Sequence, residues 1–229
     1  MIFVTADTHG EVERFDDKQL KKIKKGDTLV ILGDFGFVWN DSEKEKKALA
    51  RLAKKPYTIL FIDGLGDSFE VLAKYPETVY CGAKSREIVK DKIYYICRGE
   101  VAEIENRKLL CFGGNDIYDP DIVESFDDPA AADFENCGAN LEKHGNSVDY
   151  ILTHIPSGRI NRFINLDSHA TSETMDFFDL VAKDVDYKKW YFGCLHLDKY
   201  ISPKVQAVYL DVHALWQEEK KGFFSRNKG

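Results

Sequence analysis

The strongest constraint on this chain is a pattern met three times in its first third. A short run of apolar, largely β-branched residues stops dead at an acidic residue, a glycine or both. Met1-Ile2-Phe3-Val4-Thr5-Ala6 ends in Asp7-Thr8-His9-Gly10, Thr28-Leu29-Val30-Ile31-Leu32 ends in Gly33-Asp34-Phe35-Gly36, and Thr58-Ile59-Leu60-Phe61-Ile62 ends in Asp63-Gly64-Leu65-Gly66-Asp67. Such short, unalternating runs read as strands buried on both faces. Residues 11–25 between the first two are a partly helical surface segment closed by Gly26-Asp27. Ser42 with Glu45 makes a capping box for a helix to about Lys54, and Ser68 to Tyr75 forms a short helix stopped by Pro76. Strand and helix alternate, which predicts a parallel sheet.

The texture then changes. Ile93 to Cys97, Glu100 to Ile104 and Lys108 to Phe112 are short strands parted by the polar turns Arg98-Gly99 and Asn106-Arg107, and they read as antiparallel. A loop covers 113–120 and a helix Pro129 to His144. A strand follows from Val148 to His154, a helix from Ser172 to Lys183, a strand from Trp190 to His196, and a last strand from Val205 to Val212. No linker marks a boundary, so residues 1–217 are expected to form a single domain, with a charged, frayed tail at 218–229.

Composition narrows the function classes. A net charge of −7 argues against nucleic acid and anionic membranes as partners. No apolar run approaches the roughly 20 residues that span a bilayer. Five widely spaced cysteines, several inside apolar runs, read as reduced thiols, and with no leader-like start they predict a cytoplasmic protein.

Chemistry gathers at the strand ends. In an extended backbone, residues two apart point to the same side, so Asp7 and His9 are expected to face one spot. Carboxylate and imidazole together suit a divalent transition metal. Asp34, His154 and His196 close other strands in the same manner, and the repetition at one structural level distinguishes them from isolated polar turns.

Asp-x-His, then Gly-Asp, then a glycine turn, then Thr-His, then Gly-x-x-His resembles the calcineurin-like metallophosphoesterases over about residues 1–213. Gly33-Asp34-Phe35-Gly36-Phe37-Val38-Trp39 and Trp190-Tyr191-Phe192-Gly193 resemble a small bacterial branch of that family. The resemblance implies an α/β fold, a four-layer α/β/β/α sandwich of two mixed sheets with metals at the strand ends. It implies that Asp7, His9 and His196 hold a first metal, that Asp34 bridges, and that His154 holds a second. In such sites two metals about 3.5–4 Å apart polarise the phosphoryl oxygen and generate the attacking hydroxide.

The departures from that pattern cluster. Where the family has Gly-Asn-His, this chain has Gly64-Leu65-Gly66, which removes a second-metal ligand and the expected general acid. Where the family has Gly-His-x-His, it has Gly193-Cys194-Leu195-His196. Losing a general acid costs typically 10²–10⁴ in rate. Three residues offer compensation, each with a plainer alternative. Cys194 could ligate a soft metal or be an idle buried thiol, Asp67 could act as acid or ligand or cap the next helix, and Arg159 could meet a phosphate or be a solvated loop arginine. The expectation is a divergent, metal-binding family protein whose phosphoester hydrolysis is weak or lost. The alternative is an active metal-dependent phosphoesterase or phosphodiesterase using a rearranged site. The cofactor expected is a divalent transition metal, Mn, Fe, Ni or Zn, at one site rather than two; the partner is a phosphorylated small molecule or a protein.

Overall fold

The computed structural model describes residues 1–116, 128–164 and 172–216. The tail at 218–229 and the loop end at 117–120 lie outside the described residues. One sheet of seven strands runs in the order β13-β1-β2-β3-β6-β5-β4. Its members are β1 (Ile2–Thr5), β2 (Thr28–Leu32), β3 (Thr58–Ile62), β4 (Glu77–Tyr80), β5 (Ala83–Val89), β6 (Ile93–Ile96) and β13 (His213–Ala214). The other, of six strands, runs β11-β12-β10-β9-β8-β7. It comprises β7 (Glu100–Ile104), β8 (Arg107–Phe112), β9 (Tyr150–Thr153), β10 (Lys189–Phe192), β11 (Lys199–Ser202) and β12 (Val205–Ala207). The helices are α1 (Glu43–Leu52), α2 (Phe69–Leu72), α3 (Ala131–Lys143), α4 (Gly158–Ile164) and α5 (Glu173–Asp184).

Both sheets are mixed. β1, β2, β3 and β6 pair in parallel, while the flanking pairs β13–β1, β5–β6 and β4–β5 are antiparallel. In the second sheet β8, β9, β10 and β12 are parallel, with antiparallel β7 and β11 at the edges.

The period of the side chains sets the layers. Val30, Leu32, Leu60 and Ile62 of the first sheet pack with Leu109, Cys111, Leu152 and Tyr191 of the second, so the two sheets stack face to face. Their neighbours Leu29, Ile31, Ile59 and Phe61 point the other way, onto Leu49 and Leu52 of α1 and Val71 and Leu72 of α2. On the far side, Phe112, Ile151, Trp190 and Phe192 meet Cys137 and Leu141 of α3 and Phe178 and Val181 of α5. The result is the expected four-layer α/β/β/α arrangement. The fully buried Trp190 anchors the second outer layer, its indole N–H donating to Thr153 Oγ1 at 2.8 Å. Burying a large apolar side chain of this kind contributes roughly 1.5–3 kcal/mol.

Several boundaries differ from expectation. Arg98-Gly99 does not turn a hairpin: β6 pairs with β3 and β5, whereas β7 pairs with β8, so this short link carries the chain from one sheet to the other. The strand expected over Val205 to Val212 stops at Ala207, because the Asp198 carboxylate accepts the backbone N–H groups of Tyr209, Leu210 and Asp211 and draws them out of the sheet. Residues 11–25 contain two 3₁₀ turns, Val12–Asp16 and Leu20–Lys22, whose Phe15 and Leu20 are buried.

Candidate metal centre

Because β1, β2 and β3 are parallel, their carboxyl ends open at one edge, and β9 and β10 open at the facing edge of the second sheet. Ligands of open α/β sheets collect at such edges. The pairing continues past the strands: Asp7, His9 and Gly10 donate backbone N–H groups to the carbonyls of Gly33, Asp34 and Phe35 at 3.2, 2.9 and 3.1 Å. Gly10 and Gly36 cross so closely that a Cβ on Gly36 would sit 2.3 Å from the Gly10 nitrogen.

The backbone then departs from extended geometry. Asp7, His9, Asp34, Cys194 and His196 all have φ between 47° and 55°. For residues other than glycine this left-handed conformation is uncommon and costly, and it concentrates at functional sites. It also replaces the two-residue alternation expected of Asp7 and His9, since that pair is not extended. Arg14 supports the first of these turns, its guanidinium donating to the carbonyls of Ala6 at 2.9 Å, Asp7 at 2.5 Å and Tyr209 at 2.8 Å.

Five expected residues come together as two sets that share Asp34: His9, Asp34 and His196, largely exposed, and Asp7, Asp34 and His154, buried. In the outer set His9 Nδ1 lies 3.8 Å from Asp34 Oδ2, and the Nε2 atoms of His9 and His196 are 3.0 Å apart. In the inner set His154 Nε2 lies 3.8 Å from Asp34 Oδ1, and His154 Nδ1 lies 3.6 Å from Asp7 Oδ1. Asp7 Oδ2 also faces His196 Nε2 at 3.8 Å. Asp34 is thus common to both sets, and Asp7 faces His154 of the inner set and His196 of the outer one.

The inner set carries the clearest chemical signal. His154 Nδ1 faces the Leu32 carbonyl at 3.1 Å, which fixes it as the N–H donor and leaves Nε2 with a free lone pair. Nε2 of His154 and Oδ2 of Asp7 are both buried without any hydrogen-bond partner. Buried polar atoms are nearly always satisfied, so two orphans in one cluster mark a place for something the polypeptide does not supply. Burial pushes the Asp7 carboxyl up to about 7, and the Asp34 carboxylate adds to the shift. For His154, burial alone would lower the value, but the Asp34 and Asp7 carboxylates outweigh it and raise it. Left to itself, the cluster holds on to protons. Burial and the neighbouring His9 ring lower His196, favouring its neutral, ligating form. Two carboxylates and three imidazoles are a donor set that fits a borderline divalent transition metal.

The remaining expected residues fall elsewhere. Cys194 joins neither set; its side chain packs against the apolar cluster of the second outer layer, and burial, then Asp7 and Asp34, push its thiol well above the ordinary range. Asp67 accepts backbone N–H groups from Phe35 at 3.1 Å, Gly36 at 2.9 Å and Gly64 at 3.2 Å, tying two loops together, while Ser68 caps α2. Arg159 lies exposed in the first turn of α4 rather than in a loop, its backbone N–H on Asp179. Leu65 and Gly66 line a cleft beside Asp34, and the Gly66 N–H donates to Asp34 Oδ1 at 2.7 Å.

A buried ion pair behind the cluster was not foreseen. Asp63, with no exposed surface, accepts from Arg98 Nε and Nη2 at 3.0 and 2.7 Å and from the Tyr95 hydroxyl at 2.9 Å. Arg98 also packs over the Phe69 ring at 4.2 Å. The pair ties the β3 end to the link between the sheets. Both residues sit in turn-like sequence 35 positions apart, and nothing local announces their pairing.

Fold and site together define an α/β protein of two mixed sheets with a carboxylate–imidazole cluster where their strand ends meet. No protein-family model matches the chain, and no curated protein matches it. Among solved structures it is similar to a protein of unknown function, AQ665 from Aquifex aeolicus, at 18% identity and a TM-score of 0.39, over 82% of this chain and 87% of that one. A likeness of that size bears on neither family nor chemistry. Among the described residues no helix is long and apolar enough to cross a membrane.

Proposed function

We propose that this chain binds a divalent transition-metal ion, Mn, Fe, Ni or Zn, through Asp7, His9, Asp34, His154 and His196, and that it recognises a phosphorylated ligand there while hydrolysing phosphoesters weakly or not at all. The observation that carries the metal reading is the pair of orphaned buried atoms, Asp7 Oδ2 and His154 Nε2, on two residues that form a ligand set with Asp34, the carboxylate common to both sets. When bound, such an ion acts as a Lewis acid toward a phosphoryl oxygen. The protein's own part is to hold Asp7, His9, Asp34 and His196 in left-handed turns and to orient His154 through Leu32. Weak hydrolysis is inferred from what surrounds Asp34. Leu65 and Gly66 offer no proton donor to a departing alkoxide, and Cys194 lies outside both sets. One ion per chain is the stoichiometry we propose, since the inner set holds the unpartnered atoms.

The test is elemental analysis of the purified protein beside turnover of a generic aryl phosphate and a phosphodiester. A bound ion lost in Asp34→Asn, with little or no turnover, supports the proposal; a metal-free protein that takes up none of the four ions ends it. A second reading, an active phosphoesterase with a rearranged site, draws on the presence of both ligand sets. The triple variant Leu65→Asn, Gly66→His, Cys194→His separates the two. Activity gained by the variant over an inactive parent favours the first reading, and a parent already as fast favours the second.

A further inference from the structure

Two of the candidate ligand histidines are oriented by different means. His154 is buried and fixed by the bond its Nδ1 donates to the Leu32 carbonyl. The His196 side chain is 52% exposed, its Nε2 facing His9 Nε2 and Asp7 Oδ2, and among the described residues its Nδ1 meets no hydrogen-bond partner. Metal-ligating imidazoles almost always donate their second ring N–H to a group that fixes the ring. At His196 a ring contact takes that place. The Tyr209 ring lies against the imidazole, the two centroids 4.9 Å apart and the planes inclined at 33°, within the range at which aromatic pairs attract. Without such a contact the exposed imidazole is free to turn away from Asp7 and His9.

Tyr209 is itself pinned on both sides of its Cα. Its N–H donates to Oδ1 of Asp198, the residue two beyond His196, at 2.7 Å. Its carbonyl accepts from Thr5 Oγ1 at 2.9 Å, from Arg14 Nη2 at 2.8 Å and from the Ala6 N–H at 3.4 Å. The Arg14 guanidinium, which also donates to the Asp7 carbonyl, lies over the Tyr209 ring at 5.3 Å from its centre. Gln19 secures the chain that follows, donating to Asp211 Oδ1 at 3.2 Å and accepting the Val212 N–H at 3.3 Å. The tyrosine therefore stands between the end of β1, which bears Asp7, and the imidazole of His196.

We propose that Tyr209 is a positioning residue of the metal centre, its ring holding the His196 imidazole toward Asp7 and His9 and its pinned backbone setting that imidazole in register with the end of β1. The assignment rests on the metal-binding function proposed above. Tyr209 belongs to neither ligand set and acts through His196. An aromatic pair of this kind corresponds to about three- to tenfold in a binding constant.

The test is calorimetric titration of the chelator-treated protein with Mn²⁺, Fe²⁺, Ni²⁺ and Zn²⁺ in turn, the tightest of the four then being used on Tyr209→Leu and Tyr209→Phe. The Leu variant should bind that ion about three- to tenfold more weakly, and the Phe variant, which keeps the ring, should restore the parental affinity. NMR spectra without metal give a second readout. The His196 ring-proton signals, identified by their absence in His196→Ala, should shift in Tyr209→Leu, where the neighbouring ring current is gone, and stay in place in Tyr209→Phe. Thermal midpoints in chelator confirm that the variants fold, and Tyr209→Gln replaces the Leu variant if that one does not. An affinity unchanged in Tyr209→Leu, or lost equally in Tyr209→Phe, overturns the positioning role and leaves the metal function standing. A parent that takes up none of the four ions removes the metal function, and the positioning role falls with it.

Discussion

Nε2 of His154 faces Oδ1 of Asp34 at 3.8 Å, both atoms carrying lone pairs and neither able to donate to the other while the ring is neutral. Two acceptors held so near each other define a seat for a cation, or failing that for a proton. The upward shifts of Asp7 and His154 express the same preference.

Loading that seat should stabilise the fold. An ion present at a hundred times its dissociation constant adds about 2.7 kcal/mol, which for a chain of this length raises the melting midpoint by roughly 5–10 °C. Thermal melts with and without chelator should show the rise in the parent and its loss in Asp34→Asn. A rise of equal size in the variant would place the ion elsewhere.

Two neighbouring glycines should respond very differently to a methyl group. A Cβ on Gly64 would lie 2.2 Å from Asp34 Oδ1 and 2.9 Å from His154 Nε2, whereas on Gly66 its nearest neighbour would be Asp34 Oδ1 at 3.4 Å, an ordinary contact. Gly64→Ala is therefore expected to weaken metal binding by about 10–100-fold, the usual cost of disturbing a ligand's support. Gly66→Ala should cost far less. Isothermal titration of both variants checks the contrast, and it also shows whether a histidine at position 66 can be accommodated.

The Asp63–Arg98 pair should be expensive to break. Arg98→Ala leaves a fully buried carboxylate without its cation, and removing one partner of such a pair costs about 3–5 kcal/mol. Tyr95→Phe, which strips only the hydroxyl from Asp63 Oδ1, should cost about 1–3 kcal/mol. Denaturant unfolding of the two variants measures both; an Arg98→Ala protein as stable as the parent would deny the pair any structural role.

Asp67 sets a pH dependence. Burial, with the Asp34 carboxylate next in size, pushes its carboxyl up to about 8, against the pull of the Gly36 and Phe35 backbone donors. An unfolded aspartate titrates near 3.9. The folded state therefore binds this proton more tightly, and the group's contribution to stability is complete below about 3.9 and lost as pH rises through about 8. In chelator, the melting midpoint of the parent should fall between about pH 5 and 8 relative to that of Asp67→Asn. Parallel curves would show that Asp67 does not titrate in this window.

Much of the architecture could be read from residue type alone. β1, β2, β3, β9 and β10 are apolar blocks with abrupt polar ends, and Ser42 with Glu45 marks the start of α1 in both sequence and structure. The positions of Asp7, His9, Asp34, His154 and His196 at strand ends follow from them, whereas the four-layer stack was implied by the family resemblance. What escaped had no local signal. β4 is an edge strand whose residues alternate between exposed and half-buried, so Glu77-Thr78-Val79-Tyr80 lacks the apolar density of the inner strands. Arg98-Gly99 has the composition of a hairpin turn, and only the strand pairing shows that it bridges two sheets. The backbone that carries the ligands was hidden too, since it bends into left-handed turns at Asp7, His9 and Asp34, residues for which no sequence rule demands that conformation.

Those turns have a thermodynamic corollary. A floppy coordination shell must surrender its freedom at the instant of capture, and its affinity suffers accordingly. Here the bending at Asp7, His9, Asp34 and His196 is already set by the hydrogen-bonded loops that carry them, so the disorder was given up when the polypeptide collapsed. Uptake of the ion should then resemble a key entering a cut lock, with fast association and little reshaping of the surrounding chain.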